Sequence, residues 1–161
     1  MLLVRIGVLS DTHKDLSLAR VALEKMGKID LLFHAGDHYK DAIILSEVFK
    51  VKTKVVAGNC DYSTNKPKEE LLDIDGYIIL LTHGHQYGVK FGLERLYYRS
   101  QEIGANIVIY GHTHIPLYLV ENNVHFLNPG SPTLPRGNSN PSYAVIDLKP
   151  KLKIRIEEIV K

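Results

Sequence analysis

The chain has 161 residues and a formal net charge of +2, and 45% of its residues are hydrophobic while 24% are charged. These values predict one soluble globular domain over residues 1–161 and give no sign of nucleic-acid or membrane binding. The single cysteine, Cys60, excludes an intramolecular disulfide framework and a cysteine-based zinc site.

The first segment predicts a buried strand. Residues 2–9 are almost continuously apolar and are interrupted by Arg5, and such a run is too short for a signal peptide or a membrane span. We therefore expect a cytoplasmic protein whose first strand is covered on both faces, as in a parallel or mixed sheet. Apolar residues at helical spacing from Leu16 to Met26 then predict a helix that ends near Gly27.

The rest of the chain continues this alternation of strands and helices. The predicted elements are a strand at 31–35, a helix at 41–49, a strand at 54–57, a polar turn region at 64–70, a hairpin of strands 71–75 and 77–81, a helix at 91–103, a strand at 107–110, a hairpin of strands 117–120 and 124–127, and a final antiparallel pair at 143–148 and 152–159. Segment 128–142 is rich in Pro, Gly, Asn and Ser, which predicts an ordered or functional loop.

Five of the predicted strands end in a loop that carries Asp, Asn or His. Ligands bind at the carboxyl ends of the strands in open α/β sheets, and strand ends hold metal ligands more accurately than free loops do. We therefore predict a metal site at these strand ends. Its seven candidate ligands are Asp11, His13, Asp37, Asn59, His83, His112 and His114.

Two pairs of histidines are separated by one residue. His112 and His114 follow a buried strand, and in an extended segment residues at this spacing point to the same side, about 6.5 Å apart. We therefore expect both imidazoles to face one site. His83 and His85 have the same spacing, and we expect His85 to lie on the same side of an extended turn as His83.

The seven candidate ligands comprise two carboxylates, one amide and four imidazoles. This number exceeds the needs of one tetrahedral ion and suits two ions that share one bridging ligand. Oxygen and nitrogen ligands without a thiolate favour Mn, Fe, Ni, Co or Zn. Two such ions lower the pKa of a bridging water and brace the attacking and leaving oxygens of an in-line displacement, so the pattern predicts hydrolysis at phosphorus.

At these positions the chain resembles the calcineurin-like metallophosphoesterase superfamily. The residues that carry the resemblance are Asp11-x-His13, Gly36-Asp37, Gly58-Asn59-Cys60-Asp61, His83-Gly84-His85 and Gly111-His112-Thr113-His114. A later segment, Asn128-Pro129-Gly130-Ser131, is similar to a loop of the small single-domain phosphodiesterase branch of that family.

The resemblance implies a four-layer α/β/β/α sandwich with mixed sheets and a divalent-metal phosphodiesterase. In such an enzyme a metal-bridging water or hydroxide attacks a phosphate diester. The two ligand sets of the family fall here on Asp11, His13, Asp37 and His114 for one ion, and on Asp37 as the bridge, Asn59, His83 and His112 for the other.

One motif departs from the commoner family pattern, because Cys60 stands where many members have a histidine. That histidine is assigned to leaving-group protonation or phosphate contact. Cysteine occurs at this position in the small phosphodiesterase branch, so the fold and the metals are not affected. A thiol with an ordinary pKa of about 8.5 is a weak replacement acid, and we therefore expect a good leaving group to matter more. Apart from the question of the acid, the thiol is interpreted as a small buried filler rather than as a nucleophile.

Other polar residues near the motifs have more than one interpretation. His85 either contacts the substrate or transfers a proton, or else it is a bystander, and His38 either touches the substrate or is an exposed loop residue. Asp61 orients a neighbouring residue or caps a turn. His34, which lies inside a predicted strand, is interpreted as a hydrogen-bonded core or ligand-supporting histidine, and His125 as a structural one.

The leading functional hypothesis is a phosphodiesterase whose partner is a small-molecule phosphodiester. A second is a protein-interaction scaffold, metal-binding or metal-free, like the retromer sorting subunit of the same family, whose motifs are degraded. The complete ligand set of this chain argues against that reading. A third is a nuclease relative, but such enzymes usually add cap or DNA-binding segments and a basic stripe, which this sequence lacks. Self-association into a homo-oligomer stays open.

Overall fold

Two five-stranded mixed sheets pack face to face in the computed structural model, which describes residues 4–62 and 64–159. The elements in chain order are β1 (Arg5–Leu9), α1 (Ser17–Met26), β2 (Leu31–His34), α2 (Tyr39–Phe49), β3 (Thr53–Val55), β4 (Glu69–Ile74), β5 (Tyr77–Thr82), a 3-10 turn (His85–Tyr87), α3 (Glu94–Ile103), β6 (Ile107–Ile109), β7 (Leu117–Glu121), β8 (Val124–Asn128), β9 (Ser142–Asp147) and β10 (Lys153–Glu158). The first sheet has the order β10-β9-β1-β2-β3, and the second β4-β5-β6-β8-β7.

Three apolar cores separate four layers. Side chains alternate between the two faces of a strand, so Val8 of β1 points into the core between the sheets while its neighbour Leu9 points to the outer face. Helices α1 and α2 cover that outer face through residues such as Leu23 and Leu45. Helix α3 covers the outer face of the second sheet through Leu96. This α/β/β/α arrangement confirms the predicted fold class.

Parallel pairing brings the candidate site loops to common sheet edges. In the first sheet, β1 and β2 pair in parallel with Leu9 opposite His34, and β2 and β3 with His34 opposite Val55. In the second sheet, β5 and β6 pair in parallel. The two edges meet, because the His83 ring after β5 bonds to the carbonyl of Ala35 after β2.

Two strand boundaries in and next to the predicted polar turn at 64–70 differ from the prediction. Strand β4 begins inside this region, because Glu69 pairs with Thr82 and the ladder of the hairpin continues beyond the apolar residues. Strand β3 is shorter than the predicted 54–57, because the Ala57 N–H bonds to the carbonyl of Pro67 rather than to a neighbouring strand. Pairing across the sheet, which the local sequence does not encode, sets both ends.

The ends of two other elements also differ from the prediction. Helix α3 begins at Glu94 rather than 91, since Gly92 has a φ of 143°, which is outside the helical region. The first strand is described from Arg5, and residues 2 and 3 lie outside the described residues. None of the helices in the described part of the chain is both long enough and apolar enough to cross a bilayer.

Candidate metal centre

Four of the seven predicted ligands form one tight group. Asp11, His13, Asp37 and His114 each offer a ligand atom, and these atoms all lie within 4.8 Å of one another. The His114 Nε2 atom is 3.4 Å from Asp11 Oδ1, and the His13 Nε2 atom is 3.8 Å from Asp37 Oδ2. Mixed carboxylate and imidazole donors at this spacing can surround a single ion.

The other three predicted ligands, Asn59, His83 and His112, form a second group, with His83 at its middle. Its Nε2 atom is 3.4 Å from Asp37 Oδ2 and 2.9 Å from Asn59 Oδ1. The ring centroid of His112 lies 5.0 Å from that of His83. The structure therefore brings all seven residues to one region, with the Asp37 carboxylate close to histidines of both groups.

The surroundings of Asp11 show how well the residues fit a cation. This side chain is fully buried, and its Oδ2 accepts hydrogen bonds from Ser10 Oγ at 2.7 Å and from the His112 N–H at 3.0 Å. Its Oδ1 has no hydrogen-bond partner among the described residues, although it lies near His83 and His114. A buried carboxylate oxygen without a partner is costly. A divalent cation would compensate it, so the donor set fits a metal.

Backbone carbonyls orient two of the histidines. His83 Nδ1 lies 2.8 Å from the carbonyl of Ala35, and His114 Nδ1 lies 2.7 Å from the carbonyl of Leu134. A carbonyl only accepts, so each Nδ1 carries a proton and each Nε2 faces the site, where it can bind a metal once it carries no proton of its own. The role of Leu134 could not be predicted from the sequence, because a backbone carbonyl leaves no trace in the pattern of side chains.

The ligand loops have a left-handed backbone. The φ angles are 57° at Asp11, 47° at His13, 64° at Asp37, 72° at His112 and 61° at His114. The expectation that His112 and His114 share one side of an extended segment is therefore wrong, because tight turns and not a strand follow β6. Residues in this conformation are held there by their surroundings, and Asp and His are among the residues that tolerate it best.

Two glycines allow the loops to approach each other. A Cβ at Gly111 would lie 2.0 Å from Ser10 Oγ and 2.7 Å from Asp11 Oδ2. A Cβ at Gly58 would lie 2.2 Å from Asp37 Oδ1. Neither glycine has a positive φ, so the requirement for glycine is one of space at the site and not of backbone conformation.

The carboxylate of Asp61 holds the loop of Asp37 without facing the ligand atoms. Its Oδ2 accepts from the N–H groups of Asp37 and Gly58 at 3.0 and 2.8 Å, and its Oδ1 from those of His38 and Tyr39 at 2.7 and 3.0 Å. The bonds to His38 and Tyr39 satisfy free N–H groups at the start of α2. Asp61 therefore orients the residues around Asp37 and also caps a turn, so the structure supports both interpretations from the sequence.

His34 is buried and supports the site, as predicted. The Thr12 hydroxyl donates to Asp41 Oδ2 at 2.6 Å, so its oxygen accepts from His34 Nε2 at 3.0 Å. The Gly36 N–H donates to His34 Nδ1 at 3.2 Å. His34 is therefore a neutral imidazole with its proton on Nε2, and burial lowers its pKa to about 4.

His85 and His38 lie at the margin of the centre. His85 begins a 3-10 turn, so the expectation of an extended turn is wrong, but its ring centroid is still 5.4 Å from that of His83. Its Nδ1 is buried and has no hydrogen-bond partner among the described residues. His38 lies beside His13, with ring centroids 5.2 Å apart.

Charge and burial set the protonation states around the centre. Burial alone would raise the pKa of Asp37, but the hydrogen bond to His83 lowers it below its usual range. Burial, together with the charges of His83 and Lys90, lowers the pKa of His112 to about 4. Burial and the charge of Asp37 raise the pKa of the Cys60 thiol to about 11. At neutral pH the carboxylate is ionised, this imidazole is neutral, and the thiol keeps its proton.

Comparison with known proteins gives one consistent family. The model of the calcineurin-like phosphoesterase superfamily domain matches residues 4–151. The chain is 35% identical over 143 residues to the probable metallophosphoesterase YsnB of Bacillus subtilis, covering 88% of this chain and 83% of that protein. It is 31% identical over 120 residues to the phosphodiesterase YfcE of Escherichia coli, covering 68% and 61%.

Solved structures share the fold. The crystal structure of a predicted phosphoesterase from Streptococcus pneumoniae superposes with a TM-score of 0.82 at 32% identity, covering 99% of this chain and 94% of that one. The zinc complex of Vps29 from Entamoeba histolytica superposes with a TM-score of 0.73 at 22% identity, covering 97% and 99%. The second likeness shows the fold alone.

Replacing Gly111 with alanine is expected to lower metal affinity about 10- to 100-fold, because the added Cβ displaces Ser10 and Asp11. Metal content after dialysis, and titration of the stripped protein, measure the effect. Gly7→Ala is the control, since its Cβ would meet Met26 Sδ at 2.4 Å, away from the site. It is expected to lower thermal stability while metal content stays. Wild-type metal affinity in Gly111→Ala would contradict this account.

The buried His34 is expected to make stability depend on pH. Its pKa is about 4 when folded and about 6.5 when unfolded, so below pH 6.5 only the unfolded chain takes up this proton. The free energy of unfolding should therefore decrease as the pH is lowered. From pH 7.5 to 5.0 the free energy of unfolding of the metal-free wild type should decrease by about 2 kcal/mol more than that of His34→Gln. Urea unfolding measures both.

The half-buried His125 provides the control for that experiment. It hydrogen-bonds to Tyr118 away from the centre, and His125→Gln should retain most of the pH dependence of the wild type. If His34→Gln also retains it, the neutral buried imidazole is not its source.

Proposed function

The chain belongs to the calcineurin-like phosphoesterase superfamily, and we propose that it is a phosphodiesterase that uses two divalent metal ions. One observation carries the proposal, namely the position of the Asp37 carboxylate. Its Oδ2 lies 3.4 Å from His83 Nε2 and 3.8 Å from His13 Nε2. A single oxygen that faces histidines of both groups supports the proposal that Asp37 is the bridging ligand.

The proposed ligands follow the two groups of side chains. Asp37 belongs to both sets, and Mn, Ni, Fe, Co and Zn all suit such donors. When bound, the ions would supply a nucleophile from water and stabilise the charge of the reacting phosphate. The first ion would be held by Asp11, His13, Asp37 and His114, and the second by Asp37, Asn59, His83 and His112.

The chain's own residues position this chemistry. The carbonyls of Ala35 and Leu134 hold the rings of His83 and His114 with Nε2 towards the site, so neither ring has to turn to bind a metal. We assign His85 to contact with the substrate phosphate or to proton transfer, because its ring lies beside His83 and its Nδ1 lacks a protein partner among the described residues.

The state of Cys60 favours diesters over monoesters. With a pKa raised to about 11 by burial and by Asp37, the thiol is a poor acid at neutral pH. A leaving group that needs little protonation, such as an aryl alcohol, should then react best. A monoester carries an additional negative charge. A protonated histidine at this position could neutralise it, whereas the neutral thiol of Cys60 cannot. The relationship to the phosphodiesterase YfcE supports the same substrate class.

A protein-interaction scaffold is the second candidate. The fold likeness to Vps29 favours it, and the zinc complex of that protein means that metal binding alone does not separate the two functions. The complete set of seven ligand-competent side chains favours the enzyme. Turnover of a nitrophenyl diester by the metal-reloaded protein decides between them, because a scaffold would bind the metal without hydrolysing the diester.

We expect two ions per chain at saturation and loss of both, with essentially all turnover, in Asp37→Ala, because this change removes the proposed bridge. Metal-stripped protein would be reloaded with Mn, Ni, Co, Fe or Zn, analysed for metal content, and assayed on nitrophenyl diesters and monoesters. Asp73→Ala, an exposed change on β4, is the matched control and should behave as wild type. One ion per chain with full activity would refute the two-metal site.

His85 and His83 should respond differently to substitution. His85→Ala should keep near wild-type metal content and lose roughly 10²- to 10⁴-fold in turnover, as for a positioned acid or base. His83→Ala removes a proposed ligand and should deplete one of the two ions. Metal analysis and rates on the two variants side by side separate the roles. Loss of metal in His85→Ala would make it a ligand, and an unchanged rate would make it a bystander.

A further inference from the structure

A small cavity opens beside the candidate metal centre. It has a volume of about 300 Å³, and its lining residues are Lys90, Thr113, Ile115 and Arg136. Thr113 stands in the chain between His112 and His114, so the cavity shares a wall with the centre. This volume is at the lower limit for small-molecule sites. The cavity therefore has room for one arm of a substrate and not for a whole large molecule.

The shared wall of the cavity is fixed by hydrogen bonds. Asn128 Nδ2 donates to Thr113 Oγ1 at 2.9 Å, and the Ile115 N–H donates to the same oxygen at 3.1 Å. The hydroxyl of Thr113 is thus engaged in holding the turn. Recognition of a polar ligand in this cavity falls to the two cationic side chains, Lys90 and Arg136.

Arg136 is tied to the candidate ligand His114. The His114 ring donates to the Leu134 carbonyl at 2.7 Å, and the Arg136 N–H donates to the His114 carbonyl at 3.2 Å. Gly137, with a φ of 64°, brings the next peptide against Ile115, where a Cβ would lie 3.0 Å from Ile115 Cδ1. The backbone that carries the guanidinium is therefore anchored next to the centre.

The cavity carries two positive charges and no acidic side chain in its lining. Neither Lys90 nor Arg136 forms a side-chain hydrogen bond or ion pair within residues 4–62 and 64–159. Two such cations beside one wall favour an anion between them.

We propose that this cavity is a subsite for an anionic group on an ester arm of the substrate, so that preferred substrates carry a second phosphate or a carboxylate beyond the scissile phosphate. This inference rests on the proposed phosphodiesterase function. The planar guanidinium of Arg136 suits two-point contact with either anion, and Lys90 adds a point charge. Ile115, which is 42% exposed, offers apolar contact to the linking carbons. The lining contains no aromatic ring on which a base could stack.

A binding experiment tests the subsite without relying on turnover. Calorimetry on the metal-loaded protein would compare propanediol bisphosphate with propyl phosphate, which lacks the second anion, and with the carboxylate-ended analogue of the same length. We expect the bisphosphate to bind about tenfold more tightly than propyl phosphate in the wild type. Arg136→Gln and Lys90→Gln should each reduce this ratio, the double variant should abolish it, and Arg136→Lys should keep part of it. The carboxylate-ended analogue shows which anion is preferred.

A remote lysine gives the charge-matched control. Lys151 lies with Arg5 at the opposite end of the first sheet, so Lys151→Gln should keep the wild-type ratio. Equal affinities in the wild type, or a preference that survives in the double variant, would overturn the subsite. Nitrophenyl diester turnover is measured in parallel. If the wild type prefers the bisphosphate but does not turn over the diester, the proposed phosphodiesterase activity is contradicted and the anion subsite is not. If it turns over the diester without preferring the bisphosphate, only the subsite is contradicted.

Discussion

The burial of two carboxylates where the sheet edges meet is the constraint on which the site depends. Asp11 and Asp37 each have one oxygen satisfied by the protein, Asp11 by Ser10 and the His112 N–H, and Asp37 by the Cys60 N–H. Their other oxygens face imidazoles. Two ionised groups of like charge so close together repel strongly out of water. A positive charge among them is therefore part of what the arrangement needs, and the neighbouring histidines supply it only when protonated.

The strained backbone of the ligand loops follows from the same constraint. To aim short side chains at one point from two sheets, the chain must turn directly after each strand, and the left-handed conformation at Asp11 and Asp37 achieves this. Each strained residue costs about 1–3 kcal/mol, and hydrogen bonds from neighbouring loops hold it. Asp61 binds four N–H groups around Asp37, while Ser131 donates to the carbonyl of Asp11. The rigidity of the centre is therefore built by residues that do not face the ligands.

Much of the fold, and most of the residues that meet at the candidate site, could be predicted from the sequence because the signals for them are local. Apolar runs such as 31–35 identify strands, and polar residues at their ends identify the loops. The sequence could not predict that His85 begins a 3-10 turn, that β4 starts at Glu69, or that the Leu134 carbonyl fixes His114. Each of these depends on a contact between distant segments or on backbone atoms, and neither is written in the spacing of side chains. The role of His34 was accessible because a histidine inside an apolar strand needs partners wherever it lies.

The loop 131–137 connects ligand geometry to substrate recognition. Ser131 bonds to Asp11 of the first sheet, and three residues later the Leu134 carbonyl orients His114 of the second. Arg136, two residues further, lines the cavity beside the same centre. A one-residue deletion between Ser131 and Arg136 would thus shift either the Leu134 carbonyl that bonds to His114 or the backbone that carries Arg136, because both belong to one short segment. The length of this loop, together with the bonds of the Ser131 hydroxyl to Asp11 and to the Leu134 N–H, keeps the ligand His114 and the cavity in register.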